Sequence, residues 1–218
     1  MKPTLLINLK TYENGTGKKA LRLARIANEL SNKKAKIIFA VQPMDIPCIS
    51  KIIKTYAQHI DSIKYGSNTG FILPEAVKQA GAKGTLINHS EHRLELKQIG
   101  DSIKRARSIG LETVCCASNP SLSRRIAKLN PDYVAIEPQE LIGSGRSVTE
   151  CNPGIIKKTV DLVKKVSDAH VLCGAGIHRA EDVSKALELG TMGVLVASAV
   201  VKSKNPKKSI GELMRGFD

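Results

Sequence analysis

The chain carries no tryptophan, and aromatic residues make up only 3% of it. Flat side chains on which unpaired bases could stack are therefore scarce, which argues against a platform for single-stranded nucleic acid. The five cysteines, Cys48, Cys115, Cys116, Cys151 and Cys173, include no Cys-x-x-Cys pair. That removes the usual zinc-ribbon spacing and any evident disulfide framework, so no metal is expected. Reduced, mostly buried thiols are expected instead, with the adjacent Cys115 and Cys116 facing opposite sides of a strand. No apolar run approaches the roughly 18 residues of a membrane span. The opening "MKPTLLINLKTYENG" has too short an apolar stretch for a secretion signal. A cytoplasmic protein without membrane contact is the expectation.

Acidic residues are also short: 20 Asp and Glu stand against 34 Lys and Arg, a formal net charge of +14. Such a field favours an anionic partner. The cations are spread along the chain, in "GKKALRLAR", "KRARS" and "KSKNPKK", at spacings that suit solvated helix faces. No nucleic-acid motif accompanies them. A small phosphorylated metabolite is the better match, and no nucleic acid is expected as partner.

What is present is a rhythm. Short apolar runs rich in strand-forming residues recur as "TLLINL" (4–9), "KIIFAV" (36–41), "HIDSIKY" (59–65), "GTLIN" (84–88), "ETVCCA" (112–117), "YVAI" (133–136), "AHVLCG" (169–174) and "GVLVAS" (193–198). Most gaps hold a helical period, as with Ala20, Leu23, Ala27 and Leu30, then Ile156, Val160 and Val163, then Ala180, Val183 and Leu187 before Gly190. Strand–helix alternation implies parallel strands with right-handed crossovers. Eight such units in 218 residues fit a compact (β/α)8 barrel as one domain over 1–218. Periodicity alone leaves a doubly wound open sheet as the alternative.

A barrel gathers reactive residues just beyond the C-terminal ends of its strands. Asn8 and Lys10 follow the first run, His89 the fourth, Glu137 the sixth, Gly174 and Gly176 the seventh, and Ala197 and Ser198 the eighth. Each alone has an ordinary reading: a solvated lysine, a structural histidine, a surface carboxylate, a tight turn. Asn88 can cap a following helix, with Glu91 as its capping-box partner. Together on one rim they suggest a site. The Gly-x-Gly of "CGAGIHRAEDV", leading into a helix, lets backbone amides approach an anion where barrels hold phosphate. The stretch "AIEPQELIGSG" places Glu137 before Pro138 and ahead of Gly143-Ser144-Gly145, an acid at the foot of a segment able to swing.

At "NLKTY", "NHSEHR", "IEPQELIGSG", "CGAGI" and "GVLVAS" the sequence resembles the triosephosphate isomerases, particularly the short archaeal type, almost end to end. The resemblance implies a single-domain (β/α)8 TIM barrel that interconverts two triose phosphates without a cofactor, as a dimer or tetramer. It implies Glu137 as general base, His89 as neutral electrophile near the N-terminus of a helix starting about Ser90, and Lys10 as the cation on the enediolate and phosphate. It further implies Asn8 as a polar contact, Glu91 as the partner of Lys10, and substrate contacts from Ile142, Gly143, Gly174, Gly176, Ala197 and Ser198. The segment after Glu137 is implied to be a lid that keeps water from the intermediate. Glu140 stands where many members have Trp, and Phe71 where an acid is common, in a loop that reaches the partner subunit. Other readings are a phosphate-binding barrel for a larger sugar phosphate, a basic nucleic-acid binder and an inactive scaffold.

Overall fold

The computed structural model describes residues 2–31, 34–138 and 153–218. Eight strands form a closed barrel in chain order: β1 (Thr4–Asn8), β2 (Lys36–Val41), β3 (Lys54–Ala57), β4 (Gly84–Ile87), β5 (Glu112–Ala117), β6 (Tyr133–Ile136), β7 (His170–Cys173) and β8 (Gly193–Val196). Every pairing is parallel, and β8 closes on β1 with Thr4 opposite Gly193. The closed barrel excludes the open sheet.

Described helices fill the crossovers. They are α1 (Gly17–Leu30), α2 (Ile46–Ile49), α3 (Pro74–Gln79), α4 (Leu96–Ser108), α5 (Pro120–Ala127), α6 (Pro153–Lys164), α7 (Ala180–Glu188), α8 (Ser198–Val201) and α9 (Pro206–Arg215). Proline opens α3, α5, α6 and α9, where its missing N–H would have had no helical partner. Asn119 and Asn205 cap α5 and α9 by accepting from the amides of Leu122 and Lys208 at 2.9 and 3.1 Å. Among the described residues no helix is long and apolar enough to cross a membrane.

Alternation along the strands divides two cores. Leu5, Ile7, Ile37 and Phe39 face outward and pack with Ala20, Leu23, Ile156 and Val183 of the helices. Leu6, Ile38, Tyr56, Val114, Tyr133 and Leu195 fill the barrel itself. Cys115 belongs to the outer core and Cys116 to the inner one, as expected of neighbours in a strand.

The third strand is not where the sequence pattern puts it. β3 is "KTYA", and the alternating "HIDSIKY" (59–65) lies in the connection that follows it. Four residues suffice for this barrel strand, and what selects them is the inward Tyr56. Its hydroxyl hydrogen-bonds the Glu112 carboxylate, which also accepts the Lys54 ammonium at 2.8 Å through both oxygens. Burial, with that carboxylate beside it, pushes the Tyr56 phenol well up and keeps it protonated.

Tyr56 also explains one glycine. A Cβ on Gly84 would meet the Glu112 carbonyl at 2.6 Å and the Tyr56 ring at 2.8 Å. Gly211, inside α9, has nothing within 4 Å of such a Cβ. Gly84→Ala should therefore destabilise the fold by about 1–3 kcal/mol through overpacking. Gly211→Ala should stabilise it by about 0.5–1 kcal/mol by restricting the unfolded chain. Urea unfolding of both variants checks the contrast, and equal effects would contradict this account of the barrel floor.

Candidate active site

The inward period of the barrel continues past the strand ends. Two residues beyond Leu6 comes Asn8, beyond Tyr56 comes Gln58, beyond Leu86 comes Asn88, beyond Ala135 comes Glu137, and beyond Leu172 comes Gly174. This next inward layer, where apolar side chains give way to polar ones, closes the C-terminal end of the barrel; Asn8, Glu137 and Gly174 of it border a cavity there, and Gln58 and Asn88 lie behind them. Asn8, Lys10, His89 and Glu137 border a single cavity of about 170 Å3, together with Gly174, Gly176, Ala197 and Ser198. Ile142 and Gly143, with Glu140 and Gly145, lie outside the described residues.

Glu137 is almost completely enclosed, at 2% exposure. Room for it comes from Gly174: a Cβ there would stand 2.7 Å from Glu137 Cγ. Burial pushes the Glu137 carboxyl up to about 7, against the pull of the Cys116 thiol, the Arg93 charge, the Ser90 amide and the Lys10 charge. Its Oε2 has no hydrogen-bond partner among the described residues. A carboxylate so placed is a strong base for its type, because little solvent or charge stabilises its ionised form.

His89 Nε2 lies 3.4 Å from Glu137 Oε1. The other ring nitrogen, Nδ1, accepts the Glu91 main-chain amide at 3.2 Å. A nitrogen that accepts cannot carry the proton, so a neutral ring bears it on Nε2, facing the cavity. Burial, then the Lys10 charge, holds the imidazolium down to about 4, with Glu91 opposing. The helix expected near Ser90 is absent. One turn closes with His92 N donating to His89 O at 2.9 Å, and α4 begins only at Leu96. Its capping box is Glu95 with Gln98, not Asn88 with Glu91. Asn88 accepts instead from the Leu94 amide at 2.8 Å and donates to the Cys116 carbonyl at 2.9 Å. The neutral imidazole therefore owes its state to enclosure and a neighbouring ammonium rather than to a helix terminus.

Lys10 donates to Glu91 Oε1 at 2.7 Å, the partnership the sequence suggested. Its backbone is left-handed, with φ 49°, an uncommon conformation for a side chain of this size. Carboxamides hold it there: Asn8 Oδ1 accepts the Lys10 amide at 3.0 Å, and Gln58 Nε2 donates to Lys10 O at 2.9 Å and to Asn8 Oδ1 at 3.2 Å. Sequence reasoning missed Gln58 because it placed the third strand five residues late. With β3 at Lys54–Ala57, the inward period points to Gln58 directly. After β7, Gly176 takes φ 64°, and the chain reaches α7 four residues later, at Ala180, rather than at once.

Comparison with known proteins gives one family. The family model described as triosephosphate isomerase matches residues 3–214. The chain is similar to the triosephosphate isomerase of Methanocaldococcus jannaschii, with 47% identity covering 97% of this chain and 98% of the relative. It is 49% identical to that of Methanoculleus marisnigri, covering 97% of each chain. With that of Archaeoglobus fulgidus it shares 44% identity over 96% of each.

The two titrating groups oppose each other in stability. Glu137 goes from an ordinary 4.5 to about 7 on folding, so folding is penalised progressively as pH rises from about 4.5 through 7. His89 goes from 6.5 to about 4, so its contribution is complete above pH 6.5 and is lost as pH falls through 4. Glu137→Gln removes the first penalty. Its Tm at pH 8 should exceed that of the unsubstituted protein by roughly 5 °C, and the gain should vanish by pH 4.5. Thermal melts at the two pH values check this; a lower Tm at pH 8 would show that the buried charge is not a burden.

Proposed function

The chain belongs to the triosephosphate isomerase family, and from that premise we infer how its own residues interconvert dihydroxyacetone phosphate and D-glyceraldehyde 3-phosphate. Glu137 takes the proton from the carbon beside the substrate carbonyl and returns it to the neighbouring carbon. His89 donates its Nε2 hydrogen to the carbonyl oxygen and shuttles a proton between the two oxygens of the enediolate. Lys10 supplies the positive charge on which the enediolate and the phosphate depend. A carboxylate base paired with a neutral imidazole is the established chemistry of this family.

The observation that carries the reading is the 3.4 Å approach of His89 Nε2 to Glu137 Oε1 on the wall of a cavity that Lys10 also borders. An acid and a base that share one small space can act on adjacent atoms of one molecule. The cavity, about 170 Å3, has room for a three-carbon phosphate ester. Asn8 orients the oxygens. The small residues Gly174, Gly176, Ala197 and Ser198 bring main chain to the phosphate, and Ser198 adds a hydroxyl. One (β/α)8 domain over 1–218 carries the whole function, with no further group required. The cytoplasm is its expected compartment, which suits the free thiols of Cys48, Cys115, Cys116 and Cys173.

Two consequences can be measured. In a coupled assay, Glu137→Gln should lose about 10²–10⁴-fold in kcat. For the unsubstituted protein, kcat/KM should fall as pH drops below about 7, as Glu137 takes up a proton, with protonation of the substrate phosphate, at about 6, adding a lower step. Undiminished turnover by Glu137→Gln would reassign the base.

A homo-oligomer, dimer or tetramer, belongs to the same reading. Tyr65 and Phe71, in the β3–α3 connection, are 67% and 59% exposed, and Met44, after β2, is 89% exposed. Large apolar side chains at the mouth side of the barrel suit burial against a second copy. Phe71→Asp should weaken self-association at least tenfold in sedimentation equilibrium; unchanged association would move the interface elsewhere.

A further inference from the structure

Asn88 combines three properties that rarely coincide. It directly precedes His89, it is 2% exposed, and its backbone is left-handed at φ 60°. Glycine takes that conformation without steric cost, whereas a residue with a Cβ is strained there. At this buried position the strain is offset by what the carboxamide bonds.

Both ends of that carboxamide are used. Nδ2 donates to the Cys116 carbonyl of β5 at 2.9 Å, and Oδ1 accepts from the Leu94 amide at 2.8 Å. The second bond closes the segment 89–93 into a loop pinned at its far end, and the first ties that loop to the barrel wall. The Asn88 carbonyl also accepts from Arg93 at 3.4 Å. Cys116, gripped by its carbonyl, is the residue whose thiol acts on the Glu137 carboxylate and favours its ionised form. One amide plane thus reaches His89 through the chain and Glu137 through Cys116.

Asn130 provides a contrast within the same molecule. It too is left-handed, at φ 56°, but it is exposed at the opposite end of the barrel, and Ser167 donates to its Oδ1 at 3.4 Å. There the asparagine is simply a residue tolerant of the turn. Asn88 differs in burial and in having two short bonds, both to main chain.

We propose that Asn88 is a positioning residue for the isomerisation: it holds the 89–93 loop so that the Glu91 amide points at His89 Nδ1, and thereby fixes the imidazole proton on Nε2, opposite Glu137. This rests on the roles assigned to His89 and Glu137 above. Asn88 does not border the cavity and touches no reacting atom. Its effect passes through the loop. When the carboxamide is removed, the peptide between Ser90 and Glu91 is free to rotate, Nδ1 loses its donor, and the two neutral tautomers become comparable in energy. The unproductive one presents a lone pair to the Glu137 carboxylate and to the substrate oxygen, where a hydrogen is needed.

The test uses the full chain. Asn88→Gly keeps the left-handed backbone and deletes both bonds. Asn88→Ala also deletes both bonds, leaving Leu94 N and Cys116 O without the carboxamide, and keeps a Cβ. Asn130→Gly is the control. Three readouts are taken: circular dichroism and Tm for folding, kcat and KM for the triose phosphates, and the ring 15N shifts of His89 in the free protein at pH 7. For Asn88→Gly the expected result is a folded protein with kcat down about 10–100-fold, KM changed less than about threefold, and His89 shifts moved from a fixed Nε2–H tautomer toward an average of the two. Asn130→Gly should match the unsubstituted protein in all three. A folded Asn88→Gly variant with unchanged kcat, or with the His89 tautomer intact, overturns the proposal. If Asn88→Gly does not fold, the same kinetic and 15N criteria are applied to Asn88→Ala, and preserved tautomer or turnover there overturns it equally. The 15N measurement needs no substrate, so a failure of the assigned reaction would show in the unsubstituted protein's kinetics and remain distinct from a failure of this inference.

Discussion

The barrel mouth is organised around a carboxylate that has almost no water and an oxygen without a partner among the described residues. Glu137 is 2% exposed, and its folding is opposed by its own charge above neutral pH. Its neighbours are understandable as concessions to that one group. Gly174 gives up a side chain so that the Glu137 chain fits. Cys116, Ser90, Arg93 and Lys10 each stabilise the ionised form somewhat, and together they do not offset burial. A site tuned for stability would have added a full complement of donors. This one stops short, and the remaining basicity is what a proton abstraction requires.

The same enclosure acts with opposite sign on the partner ring. Burial and the Lys10 ammonium disfavour the imidazolium of His89, leaving a neutral donor whose tautomer is set by a single main-chain amide. Protons are thus controlled by two different means. For Glu137 the control is energetic, through lost solvation. For His89 it is geometric as well, through the direction of the Glu91 N–H. The second kind is only as good as the rigidity of the loop that aims it, and side-chain carboxamides supply that rigidity: Asn8 and Gln58 around Lys10, Asn88 around the loop after β4. Two of the non-glycine residues with left-handed backbones among those described lie at this mouth, so local strain and local hydrogen bonding occur together there.

Much of this was legible from sequence because a barrel obeys two simple periods. Strand–helix alternation gave the architecture, and seven of eight strands fall where their apolar runs lie. The residues Asn8, Lys10, His89, Glu137, Gly174, Gly176, Ala197 and Ser198 could be placed on one rim because each follows a strand end. The failures have a common physical origin. "KTYA" is short, half polar and chosen by the inward fit of Tyr56 against Gly84 and Glu112, none of which leaves an apolar stripe in the sequence. Missing it by five residues hid Gln58. The helix start after His89 was misplaced because Asn88 and Glu91 have the spelling of a capping box, while the competing partners, Cys116 O and Leu94 N, are set by tertiary contact and by a loop closure that residue spacing does not encode.

That misplacement has a consequence for how electrostatics divides at this site. A helix terminus acts through aligned dipoles of a regular segment and survives small displacements of any one residue. Here α4 begins at Leu96, beyond the loop, and cannot serve His89 in that way. The ring depends instead on Lys10, whose charge is shared with Glu91 at 2.7 Å, and on the amide of that same Glu91. One residue therefore meets the lysine with its side chain and the imidazole with its backbone. Anything that shifts the 89–93 loop moves both at once, which ties the placing of the Lys10 ammonium to the direction of the His89 N–H. Such coupling costs tolerance to loop mutation. In return, the two groups keep one fixed relation to each other.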